Sequence, residues 1–184
     1  IKPEHEHGRD LELTREVARR FNFLYKAVLV EPEALLTEFP KIPGVDGRKM
    51  SKSYDNAIFL SDTAAETTAK IKPMITDPAR KRRTDPGNPE VCPVYDLHKV
   101  FTPKAEREST IVPGCTTAAI GCLDCKEVLL THMVPPLAAV RERRQTYAEK
   151  PDRIRQVLAE GSRRARMVAQ QTMAEVRDAV KLTP

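Results

Sequence analysis

Two lysines three residues apart, Lys49 and Lys52, stand in the stretch Gly-Arg-Lys-Met-Ser-Lys-Ser-Tyr-Asp-Asn at positions 47–56. Two ammonium groups on a short, flexible, glycine-flanked loop repel each other. A compact loop is therefore disfavoured unless a polyanion sits between them. Lysine is the flexible point charge suited to phosphates that move. Ser51 and Ser53 add hydroxyl and backbone donors for phosphate oxygens. The chemistry that needs this set is a nucleoside triphosphate clamp able to stabilise a departing pyrophosphate. A solvated basic turn is the plainer reading of a generic Lys-x-x-Lys.

The chain's four cysteines, Cys92, Cys115, Cys122 and Cys125, follow the spacing Cys-x22-Cys-x6-Cys-x2-Cys. No sign of export accompanies them, so disulfides are disfavoured. Four thiolates converging on one place mean zinc or an iron–sulfur cluster. Zinc sites usually join two Cys-x-x-Cys hooks. Here there is one hook and two single ligands, and Cys92 precedes Pro93. Both details lean toward a 4Fe–4S cluster and leave zinc open. An isolated Cys-x-x-Cys is also a common buried or redox pair.

The chain that must position these residues has 184 of them, enough for one good domain or two small ones. Hydrophobic residues at 40% and charged residues at 31% are globular values and exclude a disordered chain. No apolar run approaches a membrane span, and no basic-then-apolar leader is present, so a cytoplasmic protein is expected. Residue 1 is Ile rather than Met, which reads as a fragment or a processed chain. Lys plus Arg is 31 against 26 for Asp plus Glu, a net charge of +5. Three clusters sharpen that excess: Arg80, Lys81, Arg82 and Arg83; Arg141, Arg143 and Arg144; Arg163, Arg164 and Arg166. They suit a polyanion such as RNA, although solvated helix faces have the same composition. With no Trp, contacts to nucleic acid would use phosphate and shape rather than serial base stacking.

Along the chain, residues 11–24 carry Leu13, Val17, Phe21 and Leu24 at helical spacing, with Asp10 placed as an N-cap. Residues 27–30 form a short β-prone run. Helix then strand is the tail of an α/β domain. Residues 40–57 are a loop. Thr63 to Glu66 reads as a capping box opening a helix to about Lys72, ended by Pro73. Residues 76–93 form a long irregular segment. Short helices are expected near 94–101 and 103–109, then a Gly/Cys segment at 113–125. Two further helices are expected near 123–133 and 136–149, separated by Pro135-Pro136. A last long helix carries a stripe of Ile154, Val157, Gly161, Ala165, Val168, Thr172, Val176 and Ala179.

Lys49-Met50-Ser51-Lys52-Ser53 resembles the signature loop of class I aminoacyl-tRNA synthetases. Residues 76–92, Leu11-Glu-Leu-Thr-Arg, Arg20-Phe21-Asn22 and Met173-Ala-Glu-Val-Arg resemble bacterial tryptophanyl-tRNA synthetases over nearly the whole chain. The resemblance implies a fold and a division. Residues 1–61 would be the end of an α/β, Rossmann-like nucleotide-binding domain. Residues 62–149 would form a mainly α-helical anticodon-recognition domain, and 150–184 a helix packing back on the first, leaving this chain mostly α. It implies a homodimer that activates tryptophan with ATP and Mg and transfers it to tRNA(Trp). Lys49 and Lys52 would be catalytic, with Met50, Ser51 and Ser53 completing the ATP site. A subset of the family shares the four-cysteine spacing and binds a 4Fe–4S cluster. The resemblance therefore makes all four cysteines ligands beside the anticodon, where Arg82, Arg83 and Lys126 would touch the tRNA.

Two departures stand against this pattern. The upstream His-x-Gly-His type loop and the acidic residue expected to select the indole are absent, so the chain alone is expected to be inactive. Where the family shows Gly-Glu-Asp-Gln, this sequence reads Glu4-His5-Glu6-His7. A His-Glu-His string suggests a metal, but near a chain end it is more simply solvated. The rival readings are a non-catalytic, synthetase-like RNA-binding or regulatory protein and a zinc-stapled structural domain. Tyrosine as cognate amino acid is a minor variant, because the discriminating pocket lies outside this chain.

Overall fold

The computed structural model describes residues 6–182, with side chains from residue 10 onward. Glu4 and His5 thus lie outside the described residues. Of Glu6 and His7 only the backbone is described, in the first turn of a helix. The described residues are mainly helical and include no strand; their one isolated β-bridge joins Pro43 to Lys49. No described helix is long and apolar enough to cross a membrane. The chain divides into two compact units, Ile1–Thr37 with Lys150–Pro184, and Glu38–Glu149.

In the first unit, α1 runs over Glu6–Leu24. The helix starts a turn before the expected N-cap, so Asp10 sits inside it, its carbonyl accepting from the Thr14 hydroxyl at 2.7 Å. An Asp within a helix is only mildly unfavourable. The expected strand at 27–30 is extended but unpaired. A strand needs a neighbour to receive its backbone groups. Here the Asn22 amide takes that place, accepting from Val28 N–H (3.0 Å) and Leu29 N–H (2.9 Å) and donating to the Leu29 carbonyl (2.7 Å). The last helix, α7, spans Pro151–Ala179 as its stripe predicts, and none of its residues is buried.

The second unit holds α2 (Ala64–Ile71), α3 (Pro93–Phe101), the single turn α4 (Lys104–Glu106), α5 (Val112–Thr116) and α6 (Cys122–Ala148). A π-helical turn at Arg107–Ile111 joins α4 to α5. The Thr63–Glu66 capping box forms as expected, and α2 ends at Ile71. Pro135 and Pro136 do not divide α6, which continues through both. A proline inside a helix costs about 3 kcal/mol. Leu129, Leu130, Met133 and Leu137 straddle the pair and are buried with Ile71, Met74, Val94 and Leu97. At about 1.5–3 kcal/mol per buried side chain, those four residues match or exceed the loss.

That core also fixes what lies beside it. Cys92 and Cys125 pack against it, as do Val45 and Ile58 from the two flanks of the lysine loop. Gly47, at φ +78°, adopts a left-handed conformation, and a Cβ there would stand 2.6 Å from Ile75 Cδ1.

Candidate functional site: a lysine loop and a four-cysteine cavity

The lysine loop is held from its backbone rather than left flexible. Gly44 N–H donates to the Arg48 carbonyl (2.7 Å), Gly47 N–H to Gly44 (2.9 Å) and Met50 N–H to Ile42 (3.2 Å). Ser51 caps a 3-10 turn at Lys52–Tyr54, its hydroxyl accepting from Ser53 N–H at 3.3 Å. Asp55 closes the turn at φ +51°. Lys49, Lys52 and Ser53 are exposed, whereas Met50 and Ser51 are half-buried. The arrangement leaves Lys49 and Lys52 exposed on a fixed backbone, where a phosphate could reach them.

Sequence reasoning named Asn56 only as a flank. It is 1% exposed and sits at the centre of the loop. Its Oδ1 accepts from Ser51 N–H at 2.8 Å; its Nδ2 donates to Asp46 Oδ1 at 2.7 Å and to the Lys49 carbonyl at 3.1 Å. The Asn56 bond, followed by those from Arg48, holds the Asp46 carboxyl below the usual carboxylate range. Arg48 in turn pairs with Asp46 (2.7 Å) and lies over the Tyr54 ring.

The second feature brings the four cysteines to one cavity. Cys92 stands before α3, Cys115 on α5, and Cys122 and Cys125 one turn apart at the start of α6. All four are free, half-buried thiols, and with Val94, Ile120 and Arg80 they line the same space. Burial, then the three neighbouring cysteines, pushes the Cys125 thiol up to about 12. Burial raises that of Cys115 as well.

Three observations test whether a thiolate-bound group fits here. Arg80 donates through Nη2 to the Arg83 and Ile120 carbonyls, while its buried Nε, on the cavity side chain, has no hydrogen-bond partner among the described residues. Gly87 packs against Cys115, and a Cβ would come within 2.6 Å of its Sγ. Neighbouring thiols that resist ionisation together accept it readily beside a cation. Four such thiols lining one cavity are the donor types a sulfur-ligated group needs. As they are arranged, however, no group of three or more His, Cys, Asp or Glu side chains among the described residues could hold a metal ion.

His98 completes the inner side of the site and was not foreseen. Its Nδ1 meets Thr102 Oγ1 at 2.8 Å, and its Nε2 lies 3.2 Å from the Cys125 carbonyl and 3.3 Å from its Sγ. Burial lowers its pKa to about 4, leaving a neutral ring at pH 7. A lone histidine in a short amphipathic helix gives no sequence signal of such a contact.

The three residues expected to meet tRNA separate. Arg82 and Arg83 are exposed on a turn closed by Asp85, which accepts from Arg82 N–H at 2.7 Å, and Arg83 pairs with Asp124 at 3.1 Å. Lys126 is 5% exposed, and its ammonium donates to the Lys72 carbonyl (2.7 Å) and to that of Met74. It closes the end of α2 and does not offer its charge to a polyanion, correcting the expectation for that residue. Lys126→Met would strand the buried Met74 carbonyl, at about 1–3 kcal/mol, and the part-buried Lys72 carbonyl, at about 1 kcal/mol. A stability loss of about 2–4 kcal/mol is expected in urea unfolding; an unchanged midpoint would contradict the inward role.

With that geometry established, residues 8–134 match the family described as tRNA synthetases class I (W and Y). The tryptophan–tRNA ligase of Aquifex aeolicus is 51% identical over 172 residues, covering 94% of this chain and 44% of the relative. That of Thermotoga maritima is 52% identical, covering 94% and 52%. The crystal structure of tryptophanyl-tRNA synthetase from Campylobacter jejuni complexed with ADP and tryptophan superposes with a TM-score of 0.71 at 25% identity, covering 93% of this chain and 53% of that one. The chain spans about half the length of the curated relatives it matches.

Proposed function

Because the chain belongs to the class I tRNA synthetase family of the tryptophan and tyrosine enzymes, we propose that it is the lysine-loop and tRNA-recognition part of a tryptophan–tRNA ligase. The observation that carries this reading is a fixed loop presenting Lys49 and Lys52 to solvent, in a chain about half identical to tryptophan–tRNA ligases. Lys49 and Lys52 hold the ATP phosphates, with Met50, Ser51 and Ser53 shaping the site. A carboxylate oxygen of tryptophan attacks the α-phosphorus, and the bond from that phosphorus to the bridging oxygen breaks. Tryptophanyl adenylate forms, and pyrophosphate leaves with Mg. The ammonium groups offset charge that grows on the leaving group, so they favour the transition state over bound ATP. A hydroxyl at the tRNA 3′ end then takes the aminoacyl group and releases AMP.

The four cysteines are proposed to hold a 4Fe–4S cluster, with zinc as the alternative. Cys92, Cys115, Cys122 and Cys125 would supply its thiolates. When bound, the group would staple the 76–93 segment to α5 and α6; no step of tryptophan activation needs its redox chemistry. The active form is proposed to be a cytoplasmic homodimer.

Arg82 and Arg83 are proposed to contact the phosphates of tRNA(Trp) near the anticodon. Replacing both by serine is expected to weaken tRNA binding and to reduce its salt slope by about two. An unchanged slope would remove them from the interface.

The full-length parent tests the function. It is expected to charge tRNA(Trp) with tryptophan in the presence of ATP and Mg. Binding tRNA without charging it would favour the non-catalytic, synthetase-like reading.

A further inference from the structure

We propose that Asn56 is the positioning residue of the lysine loop, a single buried amide that fixes the backbone from which Lys49 and Lys52 reach the phosphates. This inference rests on the activation chemistry proposed above. The three side-chain bonds leave one orientation for the amide. Ser51 N–H can only donate, so it must meet Oδ1; the Lys49 carbonyl and the Asp46 carboxylate can only accept, so both must meet Nδ2. All the donors and the one acceptor atom of the side chain are therefore used. The residue's own carbonyl accepts from Val45 N–H at 2.9 Å, tying the same point to the first half of the loop.

The bonds fall where they matter for the lysines. One goes to the carbonyl of Lys49 itself, and another to the N–H immediately before Lys52. The short path between the two ammonium-bearing residues is thus gripped at both ends. Gly44 makes room for this grip: a Cβ there would lie 2.3 Å from Asn56 Nδ2. The Asp46 end is braced independently by Arg48, whose Nε donates to the other carboxylate oxygen at 2.7 Å. A clamp that must meet a departing pyrophosphate gains from such preorganisation, because its lysines need no rearrangement in the transition state.

The test uses the full-length parent and tryptophan-dependent pyrophosphate exchange. Asn56→Asp keeps the acceptor for Ser51 but loses both donors and faces Asp46 with a like charge. It is expected to lower kcat about 10- to 100-fold, as small misplacements of catalytic groups do, with KM for ATP changing much less. Adding Asp46→Asn restores a donor–acceptor pair of reversed polarity and removes the like charge, but leaves the Lys49 carbonyl without its donor, so the double variant is expected to recover part, not all, of the lost kcat. Wild-type kcat in Asn56→Asp would overturn the proposal. So would a folded double variant as slow as the single one, or a double variant that does not fold. If the single variant alone fails to fold, recovery of kcat in the double variant still decides the matter. Absence of exchange in the wild-type parent is a different result and rejects the activation chemistry itself.

Discussion

Lys52→Ala in the full-length parent is expected to lower kcat for tryptophan-dependent pyrophosphate exchange by about 10²–10³-fold, the usual effect of removing one group that meets developing charge. Lys49→Ala should act in the same direction. The KM for ATP should rise far less than kcat falls, because the charge they offset is greatest as pyrophosphate separates. Both side chains are exposed and lie on a backbone fixed by other residues. The variants should therefore melt within a degree or two of wild type, as surface changes do. Equal rises in KM with kcat unchanged would make the loop a ground-state binding element only. Combining the two substitutions is expected to be non-additive, since they act on one leaving group.

The second large effect is expected at Cys125. Cys125→Ser replaces the most strongly perturbed thiol of the cavity with a hydroxyl that does not ionise near neutral pH. Bound metal, counted as iron, sulfide and zinc per chain, is expected to fall from stoichiometric to near zero. Losing the proposed metal staple should cost at least about 3 kcal/mol, or roughly 6–12 °C in Tm for a chain of this size. Retention of the wild-type metal content would show that Cys125 is not a ligand. The raised thiol pKa values also set a direction with pH. Binding metal requires these thiols to lose protons, so metal should be held more tightly as pH rises and released more easily as it falls. For the charging reaction, Cys125→Ser should reduce tRNA aminoacylation more than pyrophosphate exchange. The cavity adjoins the Arg82–Arg83 turn through Arg80, whose Nη2 donates to the Arg83 carbonyl.

Local chemistry explains which parts of this arrangement were legible in the sequence. The α2 start was readable because a Thr and a Glu three residues apart satisfy each other's backbone partners whatever surrounds them. The α7 stripe was readable because its spacing is helical over many turns. The lysine pentapeptide and the cysteine spacing pointed to two candidate features, and the four thiols do share a cavity. What failed depended on packing and hydrogen-bond partners that local composition does not reveal. Pro135-Pro136 reads as a break, but the buried leucines and methionine on both sides keep α6 continuous. Residues 27–30 have strand composition, yet the Asn22 amide takes the backbone bonds a neighbouring strand would have supplied.

The same logic separates the polar residues. Lys126 looks like any basic residue beside a ligand loop; only the fold shows its ammonium turned onto carbonyls 72 and 74. Asn56 looks like loop filler, and its role emerges only when residues 46, 49 and 51 come together around it. A sequence identifies groups able to do chemistry more readily than the groups that hold them.

The most direct test of the central claim is pyrophosphate exchange by the full-length parent, measured in parallel with tryptophan, with tyrosine and with no amino acid. The account predicts exchange that depends on tryptophan, is near background with tyrosine, and collapses in Lys52→Ala. Exchange supported by tyrosine instead, or no amino-acid-dependent exchange in a folded, ATP-binding protein, would contradict it.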